Sequence, residues 1–162
     1  YIKLGENSFQ IIPDCSISHD MISGFPNESE KDHNDTLSLM EKVKYSFGYM
    51  FKYSERPGTL AAKKLEDNID EETKSRRLSK IVELQQKHSL YRSKEFVGKT
   101  VEVLIEKESK KSNLHWAGRN QQNTTVVFPK ENYNIGDFVN VKINSCTSAT
   151  LIGEAIDFSK NN

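Results

Sequence analysis

The hydrophobic pattern of this chain changes near residues 91–96, and the change predicts two structural parts. Before it, short apolar runs alternate with apolar residues at helical spacing, as in α/β proteins. After Lys94, apolar and polar residues alternate with period two, which is typical of half-buried strands. We therefore expect an α/β part over residues 11–92 and an all-β part over residues 93–158.

The first part has the pattern of a strand–helix–strand unit. Residues 17–23 form an apolar run that predicts a buried strand, and residues 47–53 form a second, aromatic-rich one. Between them, residues 30–44 predict an amphipathic helix with Ser29 as its N-cap. This order indicates two parallel strands. A long helix over about residues 70–92 follows.

Such a small unit cannot cover both faces of a parallel sheet, so we expect it to be the end of a larger barrel whose beginning is absent from this chain. Residues 1–10 are left unassigned, because Glu6-Asn7-Ser8-Phe9-Gln10 resembles an imperfect protease-tag remnant.

The second part predicts a small closed β-barrel of the OB type. Four or five short strands are separated by clusters of Gly, Pro, Asn and Ser. The clearest strands cover residues 97–106, 124–128, 137–143 and 149–156. Residues 109–120 are expected in or beside the loop that joins the first strands.

Charge and hydropathy restrict the possible partners. The chain has 23 Lys and Arg against 23 Asp and Glu, and residues 94–162 have nine against eight. This balance argues for a local nucleic-acid footprint, if any, instead of a basic surface. No run approaches the roughly 18 apolar residues of a membrane span. We therefore expect a soluble, cytoplasmic protein without a membrane partner.

The cysteines and histidines do not have the spacing of metal ligands. Cys15 and Cys146 are far apart, and we expect two free thiols. The four histidines are scattered. The two Gly- and Pro-containing loops described next do not combine a nucleophile with an adjacent base, so the sequence does not indicate hydrolytic catalysis.

Two loops, residues 24–29 and 53–59, each follow a predicted strand. Ligands of α/β proteins bind at this end of the strands. Gly24 would let the backbone approach a ligand, and Glu28 can accept a hydrogen bond from a hydroxyl or an amine. Arg56 precedes a rigid turn and can anchor a carboxylate or a phosphate. The alternatives are an ordinary strand-to-helix turn with a capping carboxylate and an arginine that only holds a neighbouring side chain.

A cluster of basic and aromatic residues lies near the start of the predicted barrel. Lys110, Lys111 and Arg119 can contact phosphates while Trp116 stacks on an unpaired base and Asn120 adds a polar contact. The alternative is a solubilising loop in which Trp116 lies half in the core.

Taken in order, these motifs resemble the radical S-adenosylmethionine methylthiotransferases. Residues 18–29 and 51–62 are similar to two late-barrel strands with their loops, and residues 74–87 are similar to the linking helix. The tail resembles the family's TRAM domain, a small β-barrel that binds tRNA. The matching tail motifs are Gly118-Arg119-Asn120, Val126-Val127-Phe128, Gly136-Asp137-Phe138-Val139 and Leu151-Ile152-Gly153-Glu154. Within the family, the tRNA-modifying members are the most similar.

The resemblance implies an enzyme that adds a methylthio group to carbon 2 of isopentenylated adenosine beside the anticodon. The full-length protein would hold S-adenosylmethionine and two 4Fe-4S clusters, whose cysteine motifs have no counterpart here. The chain alone is therefore expected to be inactive, monomeric and free of metal. Its implied partner is the tRNA anticodon stem-loop.

The resemblance also assigns site residues. Those expected to bind S-adenosylmethionine are Ile22, Gly24, Phe25, Pro26 and Glu28. Those expected near the substrate are Tyr53, Ser54 and Arg56. Those expected to contact tRNA are Lys110, Lys111, Trp116, Arg119 and Asn120. Two positions depart from the family pattern: Asn27 stands where Gly or Thr is common, and Asp70 where Pro often starts the helix.

Two other functions remain open from the sequence. One is a non-catalytic RNA-binding module in which only the barrel acts. The other is a related methylthiotransferase that modifies another adenosine derivative or a ribosomal protein.

Overall fold

A computed structural model describes residues 2–156, apart from the side chain of Glu6. Residue 1 of the unassigned segment and residues 157–158 of the predicted all-β part lie outside the described residues. Four helices and seven strands are present within this range. In chain order they are α1 (Ile2–Ile11), β1 (Ser18–Ser23), α2 (Glu30–Val43), β2 (Phe47–Lys52), α3 (Leu60–Lys64), α4 (Glu71–Lys94), β3 (Thr100–Ser109), β4 (Ser112–Asn120), β5 (Thr125–Pro129), β6 (Phe138–Cys146) and β7 (Leu151–Ala155).

These elements form two compact units. Within the described residues, one combines residues 2–13 with Ile17–His88, and the other combines Asp14–Ser16 with residues 89–156. No helix within residues 2–156 is long and apolar enough to cross a membrane. Cys15 and Cys146 are both free thiols.

The first unit contains the expected parallel pair of strands. β1 and β2 align from Ser18 opposite Phe47 to Ser23 opposite Lys52, with α2 between them in the chain. The N-cap of α2 is Ser29, whose hydroxyl accepts a hydrogen bond from the Asp32 amide at 3.2 Å while the Asp32 carboxylate accepts one from the Ser29 amide at 2.9 Å. This reciprocal capping box confirms the predicted start of the helix. Helices α1 and α3 were not predicted.

One face of this two-stranded sheet packs on the helices. Met21 and Met50 contact a cluster in which Met40 and Val43 of α2 meet Ile81 of α4. A core of this kind holds the strands against the helices by burial of apolar surface.

The opposite face of the sheet is not covered by the described residues. Ile22 is paired with Phe51, and these side chains are each 58% exposed, while Tyr49 two residues before Phe51 is 61% exposed. The prediction of a buried β1 is therefore wrong for this face, because the helices cover only the side that carries Met21 and Met50.

The second unit is a closed five-stranded barrel with the strand order β3-β4-β5-β7-β6. β3 pairs with both β4 and β6, which closes the sheet. Alternate residues point inward to form the core, which includes Val103, Ile105, Val126 and Phe128. The predicted small barrel is confirmed, but β4 is a strand where we had expected a loop.

Two glycines allow neighbouring strands of the barrel to approach each other. An ideal Cβ on Gly118 would lie 2.1 Å from the carbonyl oxygen of Leu104, and one on Gly153 would lie 2.2 Å from that of Lys142. Both obstacles are backbone atoms of the paired strand, so a side chain could not be accommodated by a rotamer change.

We predict that Gly118→Ala destabilises the barrel by about 1–3 kcal/mol, because the methyl group would force β3 and β4 apart. Trp116 is the single tryptophan of the chain and packs against the barrel core, so its fluorescence during urea unfolding reports on this unit. Gly5→Ala is the control, since a Cβ there meets nothing within 4 Å. Equal unfolding midpoints for the two variants would contradict the prediction.

The first unit contains a buried histidine on α2. His33 is 1% exposed, and neither ring nitrogen has a hydrogen-bond partner among the described residues. Burial lowers the pKa of His33 below its usual value of 6.5. The unfolded chain therefore binds a proton near pH 6.5 that the folded unit does not bind, and the stability of the unit falls as the pH decreases.

We predict that the free energy of unfolding of the first unit decreases from pH 7 to pH 5. A buried histidine such as His33, which binds a proton only after unfolding, contributes at most about 1.4 kcal/mol per pH unit to this decrease. His33→Leu should be more stable than the parent and should show a shallower decrease. Far-UV circular dichroism in urea at pH 5, 6 and 7 measures both slopes. Parallel slopes would show that His33 does not contribute.

Candidate nucleic-acid interface

A cleft of about 520 Å³ lies on the outer surface of the barrel. Its walls are the turn between β3 and β4 and the loop between β6 and β7, and its floor consists of β4, β5 and the start of β7. The closed barrel sends alternate residues of each strand outward. Ala117, Val127 and Ile152 are the outward residues that form the floor, whereas Val126 and Leu151 beside them fill the core.

The cleft has a basic edge. Lys107, Lys110 and Lys111 are exposed along it, and their ammonium groups form no hydrogen bond or ion pair within residues 2–156. Arg119 lines the same cleft. Its guanidinium donates to the carbonyl oxygen and side-chain oxygen of Asn123 at 3.0 and 2.9 Å. A charged rim above an apolar floor suits a phosphate backbone whose bases rest on the floor.

The opposite wall offers hydroxyl groups. Thr147 and Thr150 line the cleft, and the Thr147 hydroxyl accepts a hydrogen bond from the Thr150 amide at 3.0 Å. On the first wall, the Ser112 hydroxyl is 3.0 Å from Nδ1 of His115. These groups give the cleft polar contacts besides its positive charges.

Trp116 does not lie in this cleft. It points toward the barrel core, and its ring is covered by Lys130, whose ammonium nitrogen is 4.4 Å from the ring centroid. Lys130 also forms an ion pair with Glu108. Position 116 is an inward position of β4, so Trp116 packs against the core instead of entering the cleft. Lys130 covers one face of the ring that we expected to stack on a base.

Asn120 is likewise turned away from the cleft. It is 6% exposed, and its side-chain oxygen accepts a hydrogen bond from the Thr124 amide at 2.8 Å. The side chain closes the turn between β4 and β5. Lys110, Lys111 and Arg119 are thus brought together, and Trp116 and Asn120 are not.

The loop after β1 is held by its own glutamate. Gly24 has a φ of 75°, and its amide donates to one carboxylate oxygen of Glu28 at 3.0 Å. The other oxygen of Glu28 accepts from Arg77 of α4 at 2.9 Å. Because both oxygens are engaged, the geometry favours a structural role for Glu28 over direct contact with a ligand.

Gly24 is needed for packing against α4. An ideal Cβ at this position would lie 2.3 Å from Cγ of Lys74. Lys74 is 2% exposed and donates to Asp67 at 2.6 Å and Glu71 at 3.1 Å. We had expected the space beside Gly24 to receive a ligand. The aliphatic part of Lys74 occupies that space instead.

The remaining residues expected to bind S-adenosylmethionine differ in how much of their surface is exposed. Ile22 at the end of β1 and Phe25 are 58% and 40% exposed, whereas Pro26 is buried. Asn27 has a φ of 68°, which asparagine tolerates better than most residues, and it exchanges hydrogen bonds with Asn68 at 2.8 and 2.9 Å. Glycine would also tolerate this left-handed conformation.

The loop after β2 presents two of the three predicted substrate residues. Ser54 and Arg56 are exposed, and their side chains have no polar partner in the described part of the chain. Tyr53 is 8% exposed, and its ring packs edge-on against Phe25 with centroids 5.1 Å apart. Tyr53 therefore joins the two loops to each other.

Comparison with known proteins identifies a domain family and several relatives of this chain. The TRAM domain profile matches residues 94–156. All 162 residues align with a protein of Christiangramia forsetii named tRNA-2-methylthio-N(6)-dimethylallyladenosine synthase, at 68% identity over 100% of this chain and 34% of that protein. Proteins of the same name from Flavobacterium johnsoniae and Bacteroides fragilis are 66% and 51% identical over 100% and 91% of this chain, and over 34% and 32% of their own lengths.

The chain belongs to the family of these synthases. It spans about one third of the length of the curated relatives that it matches. The first ten residues, interpreted above as a tag remnant, have counterparts in the Christiangramia forsetii protein, because that alignment includes all 162 residues.

The cleft coincides with the ligand face of OB-type barrels. Oligonucleotides bind such barrels on the second and third strands, between the loops that join strands one to two and four to five. In this TRAM domain those elements are β4, β5, the turn at residues 110–111 and the loop at residues 147–150, and all of them line the cleft.

We predict that replacing Lys107, Lys110 and Lys111 together by Ala flattens the slope of log affinity against log salt for an anticodon stem-loop RNA. The slope should change by up to about 0.7 for each phosphate of unpaired RNA that a lysine no longer neutralises. Filter binding between about 50 and 300 mM salt would measure it. The control replaces three exposed lysines outside the cleft, Lys94, Lys99 and Lys142. Equal slopes for the two triple variants would place the RNA elsewhere.

Proposed function

We propose that this chain is the carboxyl-terminal part of a tRNA methylthiotransferase that adds a methylthio group to carbon 2 of isopentenylated adenosine beside the anticodon. The observation that carries the proposal is the 68% identity, over every residue of the chain, to a protein named for this product. Such identity extends beyond the TRAM domain, which matches only residues 94–156. A free-standing RNA-binding module would not need the other residues.

In this proposal the barrel binds the anticodon stem-loop. The basic edge formed by Lys107, Lys110 and Lys111 contacts phosphates, and the floor formed by Ala117 and Val127 receives an unpaired base. The net charge of the chain is zero, so its affinity depends on this local concentration of positive charge.

The α/β part supplies the last strands of a radical S-adenosylmethionine barrel. Support comes from the uncovered sheet face that carries Ile22, Tyr49 and Phe51, all more than half exposed. Neighbouring exposed apolar side chains of this size usually mark a binding surface. In the full-length protein, the residues outside this third of the sequence would cover this face and continue the sheet.

S-adenosylmethionine fits the loops in part. Ile22 and Phe25 present accessible apolar surface to an adenine ring, while Gly24 and Glu28 shape the loop from behind. The exposed guanidinium of Arg56 and hydroxyl of Ser54 remain available to the substrate.

The chain's own residues do not fit a 4Fe-4S cluster. It has two cysteines, and residues 2–156 contain no group of three or more His, Cys, Asp or Glu side chains that could hold a metal ion. The cluster ligands would belong to the rest of the protein. When bound, the clusters and S-adenosylmethionine supply the radical chemistry, the sulfur insertion and the methyl group, and the protein positions the substrate.

Deleting the gene tests the proposal. We expect mass spectrometry of digested tRNA to show loss of 2-methylthio-isopentenyladenosine and accumulation of isopentenyladenosine, both reversed by the full-length gene. Unchanged nucleosides with intact RNA binding would favour the non-catalytic module. Loss of another methylthio nucleoside, or of a methylthio group on a ribosomal protein, would identify a related enzyme instead.

A further inference from the structure

Two buried cations on α4 hold both loops at the carboxyl ends of β1 and β2. The side chains of Lys74 and Arg77 are 2% and 5% exposed, although both carry a positive charge. A buried charge is costly unless it is paired and hydrogen-bonded. Each of these side chains donates at least two hydrogen bonds, and each is paired with a carboxylate outside the first turn of α4.

Arg77 holds the loop after β1 at its Glu28 end. Its guanidinium donates to the backbone carbonyl of Glu28 and to one carboxylate oxygen of Glu28, both at 2.9 Å. The second carboxylate oxygen accepts from the Gly24 amide. A further hydrogen bond runs to the Glu30 carboxylate at 3.2 Å, which fixes the guanidinium on the first turn of α2. The Glu28 side chain thus closes the loop from Gly24 to Glu28, and Arg77 of α4 holds that side chain in place.

Lys74 packs beside Gly24 and also contacts Tyr53, the first residue of the loop after β2. Its aliphatic part occupies the space beside Gly24, where a Cβ would be only 2.3 Å away. Its ammonium group lies 5.6 Å from the centroid of the Tyr53 ring and donates to Asp67. The Tyr53 ring contacts Phe25, so the two loops and α4 form one connected set.

We propose that Lys74 and Arg77 are positioning residues that fix the conformation of both loops, and through them the S-adenosylmethionine and substrate contacts of Ile22, Phe25 and Arg56. The proposal rests on the proposed function. Neither cation is accessible to a ligand, so each acts through the loop that it holds. Misplacement of a binding group by about 1 Å can reduce the rate of an enzyme about 100-fold.

The chain provides a matched control for Arg77. Arg76 is the adjacent residue and also pairs with Glu30, at 3.2 Å, but it does not contact Glu28 and its side chain is 46% exposed. Arg76→Met therefore removes a guanidinium and its ion pair with Glu30 without releasing the loop. Arg77→Lys keeps the charge of Arg77 but cannot form the several bonds of the planar guanidinium.

The test uses the full-length protein with Arg77→Met, Arg77→Lys and Arg76→Met. We expect hydrogen exchange at residues 24–28 to become at least tenfold faster in both Arg77 variants. We also expect KM for S-adenosylmethionine to rise at least tenfold, with a smaller change in kcat and with RNA affinity within twofold of the parent. Arg76→Met should change each quantity less than twofold. If Arg77→Met does not fold, Arg77→Lys and Glu28→Gln give the same comparison.

Two results would overturn the proposal. One is unchanged exchange at residues 24–28, which would mean that Arg77 does not hold the loop. The other is faster exchange with KM and kcat both within twofold of the parent, which would reduce Arg77 to a purely structural role. If the parent protein forms no methylthio product, the proposed function fails, and loop exchange together with the dissociation constant for S-adenosylmethionine still decides the inference.

Discussion

Closure of the barrel determines the surface on which RNA binding is proposed. β3 pairs with β4 on one side and β6 on the other, so none of the five strands has a free edge. Each strand must then place every second residue in a narrow interior. Because Val126 and Phe128 face inward, Val127 faces outward. A shift of β5 by one residue in its pairing would turn the core residues outward and Val127 inward.

Local patterns predicted the elements whose signals lie within a few residues. Ser29 as an N-cap and the apolar stripe after it located α2, and period-two alternation located four of the five barrel strands. β4 was missed because Gly118 interrupts its pattern. That glycine is required by the nearby carbonyl of Leu104, a neighbour that only the paired strand reveals.

The candidate sites were less predictable, since their geometry depends on contacts between distant residues. Glu28 was expected to face a ligand, but it binds Arg77, which follows it by 49 residues. Trp116 and Asn120 were grouped with Lys110 by proximity in the sequence, yet both occupy inward positions of β4. Val127 of the cleft floor was overlooked, although its place between Val126 and Phe128 in an alternating strand was the signal that could have found it.

Mapping the RNA-binding surface by NMR tests the central claim most directly. An anticodon stem-loop RNA would be titrated into the ¹⁵N-labelled chain while amide shifts are recorded. The account predicts that the largest shifts occur at Lys110, Ala117, Val127 and Thr150, which line the cleft. Shifts confined to Glu102 and Lys142, on β3 and β6 outside the cleft, would contradict it.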